Sequence, residues 1–142
     1  MIRFEIPGEP GAKGRPRFST FGGRAVAYTD KKTRLYELLV KDAYMTQIGN
    51  PDPIKGEMKV VIHAHFAIPK STSKRKRAAM VAGKIKPTKK PDTDNIAKIM
   101  LDSLNGIAFE DDKQVVELTV TKHYSERPRV EVSVWEESEE ES

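Results

Sequence analysis

Two short runs of this chain carry residue types that can do chemistry. The first is Lys89-Lys90-Pro91-Asp92-Thr93-Asp94-Asn95 with Lys98 one helical turn on, and the second is Glu110-Asp111-Asp112-Lys113-Gln114-Val115. Carboxylates held together by a fold repel one another, and each then tends to stay protonated. A divalent cation removes that conflict, and the neighbouring lysines point to phosphate as the other ligand. The reading is a metal-dependent enzyme acting on nucleic acid. Oxygen-only donors suit a hard cation, and Mg²⁺ takes one or two carboxylates together with waters and substrate phosphate. Mn²⁺ is the natural substitute. In such a site Asp92, Asp94 and Asp112, with Asp111 beside them, are the candidate metal ligands. Lys98 is placed to stabilise charge developing on the phosphorane or on the departing 3′ oxygen. Each acid alone has a plainer explanation, as a helix cap or a solvated turn. The combined pattern is harder to explain by capping.

The elements around these runs must position them. Lys90 precedes a proline and is biased toward an extended conformation, so Asp92 should sit at the entry of a helix rather than inside it. If the chain stays extended through Thr93, Asp92 and Asp94 point to the same side. A helix from about Asp94 to Leu104 buries Ile96, Ile99, Met100 and Leu104 and presents Asp94 and Lys98 on its opposite face. A strand starting after Asp112, with Val116 and Leu118 inward, returns the loop to the helix start and permits Asp92, Asp94 and Asp112 to gather around one point.

The rest of the chain alternates strand and helix signals. Residues 2–6 and Met58–Ile68 read as half-buried strands, the second with Val60, Ile62, Ala64, Phe66 and Ile68 on one face. His63 and His65 alternate onto the other face. An H-x-H pair can ligate a metal, but in a strand it more often faces solvent or a polar layer. Gly22-Gly23 reads as the turn of a loose hairpin. Asp30 is a plausible N-cap for a helix to Ile48, with Leu35, Leu38, Leu39, Ala43 and Ile48 at helical spacing. Ser71–Ala82 suits a short helix ended by Gly83, with Ser71 or Ser73 at its start. Gln114–Tyr124 and Arg129–Trp135 read as two further strands. The expectation is one compact α/β (α+β) domain over residues 1–135, a mixed sheet packed by two main helices.

At 142 residues the chain suits a single domain with a real core. Its net charge of +4 hides an asymmetry. Residues 70–90 carry nine Lys or Arg and no acid, whereas the last eight residues carry five Glu and no base. The first block is expected to be flexible and to meet a polyanion. Lys74, Arg75, Lys76, Arg77, Lys89 and Lys90 are its candidate DNA contacts, joined by Lys13, Arg15 and Arg17 in a Gly/Pro-rich loop near the N-terminus. The tail 136–142 reads as disordered. No Cys is present, which removes a thiolate nucleophile and a cysteine-rich zinc site. The N-terminus is not a signal peptide and no apolar run spans a membrane, so an intracellular, cytoplasmic protein is expected. No phosphate-loop or dinucleotide motif supports a nucleotide cofactor.

The runs Asp92-Thr93-Asp94-Asn95, Lys98, Leu101-Asp102-Ser103-Leu104-Asn105-Gly106 and Asp111-Asp112-Lys113-Gln114-Val115-Val116 closely resemble the RusA family of Holliday junction resolvases, often encoded by phages and prophages. The likeness continues through Lys122 and Glu126-Arg127-Pro128 and covers about residues 89–134. It implies a homodimeric, Mg²⁺-dependent endonuclease that cuts a four-way DNA junction symmetrically, in recombination, repair or phage DNA debranching. It places the essential acids on Asp92, Asp94 and Asp112 and the essential base on Lys98, with Asp111 adjacent. The basic stretch 70–90 is longer than in compact members of the family. A non-catalytic branched-DNA-binding protein is the main alternative, but acids without a metal would repel phosphate. A DxD phosphatase fits less well, because no apolar strand leads into Asp92.

Overall fold

The computed structural model describes residues 1–12, 17–28 and 30–137, without the side chains of Arg17 and Phe21. Strand β1 (Ile2–Pro7) is followed by a two-stranded ribbon of β2 (Arg17–Phe21) and β3 (Arg24–Tyr28). Helix α1 (Lys31–Gln47), strand β4 (Met58–Ala67), helix α2 (Lys74–Val81) and helix α3 (Thr93–Leu104) come next. A 3-10 turn at Asp112–Gln114 then leads into β5 (Val115–Ser125) and β6 (Arg129–Glu136).

Four strands form a mixed sheet in the order β1-β6-β4-β5. The connection from β4 to β5 passes through both later helices, so the two strands run parallel, while β6 is antiparallel to β1 and β4. Strict alternation sends Met58, Val60, Ile62, Ala64 and Phe66 to one face. There they meet Val130, Val132 and Val134 of β6 and Phe4 and Ile6 of β1 in one core. Helices α1 and α3 cover that face. The expected stripe of α3, Ile96, Ile99, Met100 and Leu104, is fully buried.

Helix α1 differs from its sequence reading. It starts where expected, with Asp30 accepting from the Thr33 amide at 2.8 Å. Its buried face, however, is Thr33, Val40, Ala43 and Tyr44. Leu35 and Leu38 are more than half exposed and Leu39 is 37% exposed. Tyr44 packs edge-on against Phe4 at 5.3 Å and supplies the bulk that the leucines were expected to give. Strand β5 departs in the same way. It is an edge strand on which Val116 and Leu118 are exposed rather than inward.

Two features fix the loop after β1. The Tyr36 ring packs so closely on Gly11 that a Cβ there would lie 2.5 Å from it. Burial of that ring pushes the phenol up to about 12. Farther back, the Glu9 carboxylate accepts from the Ala67 amide at 2.9 Å and ties the loop to the end of β4.

Candidate active site and nucleic-acid interface

Helices α1 and α3 both begin at the end of the sheet where β4 finishes. A cleft of about 480 Å³ opens there, lined by Glu9, Asp30, Phe66, Lys89, Lys90 and Pro91. The start of α1 and the segment 89–91 that leads into α3 both line it. Lysines make it attractive to anions. The Lys89 ammonium lies 5.8 Å from the Phe66 ring centre and that of Lys122 5.2 Å from it, and Lys122 also donates to the Lys89 carbonyl oxygen.

Asp92 is the N-cap residue of α3, with an extended backbone, yet its side chain makes no capping hydrogen bond. Its exposed carboxylate is therefore not engaged by its own helix. The helix starts at Thr93, one residue earlier than expected. Asp94 consequently lies within the first turn, not beyond an extended Thr93. Asp94, Lys98 and Asp102 follow at four-residue intervals along the polar face, the first two exposed and the third half-buried. The Lys98 ammonium thus stands one turn from each of two carboxylates.

The second acidic run is a built corner. Asp111 caps the 3-10 turn by accepting from the Lys113 amide at 2.9 Å. Gln114 reaches back so that its Oε1 accepts from the Asp111 amide at 2.8 Å. The Gln114 amide group also donates to the carbonyls of Ile54 at 2.8 Å and Gly56 at 2.9 Å. These bonds clamp the corner to the loop before β4. Asp111 is thereby held low by the Lys113 amide and by a hydrogen bond with Asp112. Asp112 is pushed up by desolvation, by that same hydrogen bond and by the charges of Asp111 and Asp102. Sequence reasoning missed the Gln114 clamp, although Asp111 and Gln114 have the spacing of a capping box.

Asp112 neighbours Asp102 near the end of α3, whereas Asp92 and Asp94 stand at its start. Eight helical residues separate Asp94 from Asp102, about 12 Å along the axis. Asp112 thus feels the charge of a carboxylate two turns along the helix from Asp94. Among the described residues no three His, Asp or Glu side chains converge in a way that could hold a metal ion. The donor chemistry still fits a hard cation, since every candidate ligand is a carboxylate oxygen.

Segment 70–90 holds α2, capped by Ser73, whose Oγ accepts from the Lys76 amide at 3.3 Å. Lys74, Arg75 and Lys76 are exposed. Arg77 instead pairs with Glu126 at 3.0 Å and docks the helix beside β5. Lys13, Arg15 and the Arg17 side chain lie outside the described residues.

On the sheet face away from the core, His63 and His65 join His123 in a polar layer. His63 Nδ1 and His123 Nε2 are 3.0 Å apart, and His65 Nε2 meets Glu131 at 2.5 Å. Desolvation lowers His65, with the Arg129 charge adding to it, and lowers His123 to about 4, with His65 and Lys86 adding to it. Glu131 stays below the usual range, because its bond to His65 and the charge of Arg129 outweigh its desolvation.

A family model described as Endodeoxyribonuclease RusA matches residues 7–135, nearly the whole chain. The chain belongs to the RusA family. It is 39% identical over 138 residues to YqaN, an uncharacterized protein of Bacillus subtilis (strain 168), covering 95% of this chain and 96% of that protein. Membership makes the chain an endodeoxyribonuclease, a hydrolase that resolves Holliday junctions and binds branched DNA. RusA resolvases depend in general on a divalent metal. The single α+β domain with a mixed sheet agrees with that membership. No helix among the described residues is long and apolar enough to cross a membrane.

Proposed function

We propose that this RusA-family endonuclease is a Mg²⁺-dependent homodimer that cuts four-way junctions by paired, symmetric phosphodiester hydrolysis. Asp92, Asp94 and Asp112 hold the cation, with Asp111 as a capping neighbour, and Lys98 is the catalytic cationic residue. The reading rests on the exposed, uncapped Asp92 with Asp94 and Lys98, which follow directly on Lys89, Lys90 and Pro91 of a lysine-lined cleft at the start of α1. That cleft takes the scissile phosphate: amides at the helix starts and the cations of Lys89 and Lys90 bind and orient it. Lys98 neutralises negative charge that grows as the phosphorus–oxygen bond breaks. The chemistry that Mg²⁺ supplies when bound is polarisation of the phosphate and activation of water. Lys74, Arg75 and Lys76 on α2 extend the phosphate-binding surface, with Lys13, Arg15 and Arg17 of the N-terminal loop as further contacts. Arg77 contributes by holding α2 in place.

The separation of Asp112 from Asp92 and Asp94 along α3 gives the dimer a chemical purpose. Two copies related by a two-fold axis with their α3 helices antiparallel bring the start of one helix beside the end of the other. Each centre is then made of Asp92, Asp94 and Lys98 from one copy and Asp112 from its partner. Val116 and Leu118, apolar and exposed just after Asp112, supply surface for that contact. The biological setting that fits is recombination repair or debranching of phage DNA, from a prophage or phage gene.

The test compares wild type with Asp92→Asn on a labelled mobile four-way junction, with and without Mg²⁺. Wild type should produce paired symmetric nicks only with the metal. Asp92→Asn should bind with similar affinity and cleave at least about 100-fold more slowly. Metal-independent cutting, or an undiminished rate in the variant, would overturn the assignment.

A further inference from the structure

The ribbon of β2 and β3 joins no other sheet. Its described side chains are exposed on both faces. A two-stranded ribbon in water is marginal on its own, so this one gains from being covered. Its register tells what kind of surface it offers. Phe18 stands opposite Ala27, with Thr20 and Ala25 paired beside them on the same face. The small neighbours leave the Phe18 ring 71% exposed, a lone aromatic on a face of small residues.

The charge around it selects the occupant. No carboxylate occurs from Arg17 to Tyr28. Arg24 at the turn and Lys31, Lys32 and Arg34 at the start of α1 are exposed. A trough of about 540 Å³ at the ribbon's foot is lined by Tyr28, Asp30, Lys31, Lys32 and Leu35. It shares Asp30 and Lys32 with the cleft in front of Asp92. A second copy of the chain would bring its own cations against these, whereas a polyanion is attracted and led toward the carboxylates.

We propose that the ribbon enters the branch point of the DNA, where Phe18 inserts as an apolar wedge and stacks on an unpaired base while the strand to be cut lies along the trough. The inference rests on the junction-resolving reading and adds to it the element that recognises the branch. Bases at a branch point are already partly unstacked, so a wedge there costs less than in linear duplex.

The experiment uses a junction with 2-aminopurine at the branch point, which brightens when unstacked, and the Asp92→Asn protein to hold the complex uncut. Binding should brighten the probe. Adding Phe18→Ala should abolish the change and weaken junction binding by roughly 5- to 100-fold, the worth of one stacked base, with linear-duplex binding unchanged. Phe18→Trp should restore both. An unchanged signal and affinity in Phe18→Ala would overturn the proposal while leaving the resolvase reading intact. So would an equal loss on linear duplex, or a loss of self-association in sedimentation, which would make a second copy the ribbon's partner. Failure of the Asp92→Asn parent to prefer the junction over duplex would instead overturn the resolvase reading itself.

Discussion

Asp111 and Asp112 are adjacent carboxylates with different employment. Asp111 accepts a backbone hydrogen bond and closes a 3-10 turn, while Asp112 is crowded by Asp111 and by Asp102. The two should therefore respond differently to substitution. Asp112→Asn removes a charge that its surroundings resist, so its urea midpoint should match or exceed that of wild type, with junction cleavage lost. Equal activity in Asp112→Asn would remove it from the proposed centre. Gln114 should behave in the opposite sense. Gln114→Ala deletes three hydrogen bonds that tie the turn to Ile54 and Gly56. At about 0.5–1 kcal/mol for each part-exposed bond it should lower stability by about 1.5–3 kcal/mol, read from urea unfolding. An unaltered midpoint would show that the clamp is idle. Asp92, Asp94 and Lys98 were legible because their spacing is local. The clamp was not, since the carbonyls that Gln114 meets lie 58 and 60 residues away in the sequence.

At the scale of elements, periodicity located β1, α1, β4, α3, β5 and β6, while Gly22-Gly23 marked the hairpin and capping residues marked α2, but it did not always say which side faced inward. Helix α3 has a single apolar stripe, and it is buried as read. Helix α1 carries leucines on one side and Thr33, Val40 and Tyr44 on another, and contact with β1 and α3 selects the second. In β5 the strand lies where it was read, but on this sheet edge Val116 and Leu118 are left exposed. The polar layer of histidines could be anticipated only as an outward face of β4, because His123 joins it from a strand 60 residues on. That layer makes a pH prediction. His123 faces His63 and His65 from β4, Glu131 and Arg129 from β6, and Lys86 from the segment after α2. Its folded pKa is depressed, so the unfolded chain binds its proton first as pH falls. The stability it contributes is complete above about 6.5 and is lost between there and about 4. His123→Gln should therefore flatten the decline in stability between pH 6.5 and 4.5, followed by urea unfolding at several pH values. A slope identical to that of wild type would show that other groups, His65 among them, account for all of it.

For the whole molecule, the decisive quantity is the distance between the two ends of α3. Asp102, whose charge raises Asp112, stands about 12 Å along the helix from Asp94. In the shared-centre reading a two-fold axis brings the two ends together without deforming either copy. Mixing two inactive variants separates the cases. Let one copy carry Asp92→Asn and its partner Asp112→Asn. In a shared arrangement, one centre of the mixed dimer collects both substitutions and the other is assembled from an intact Asp92 and an intact Asp112. In a one-chain arrangement both centres remain defective. Co-refolded Asp92→Asn and Asp112→Asn should thus regain single-strand nicking of a junction, while each variant refolded alone stays inactive. The product should be a nicked junction rather than resolved duplexes, because only one centre per mixed dimer is whole. Random exchange makes half of the dimers mixed, each with one working centre of two, so nicking should recover to about a quarter of the wild-type level. No recovery, with mixed dimers demonstrated by differently tagged copies, would mean that each centre takes Asp92 and Asp112 from one chain, in the corner that Asp111 caps.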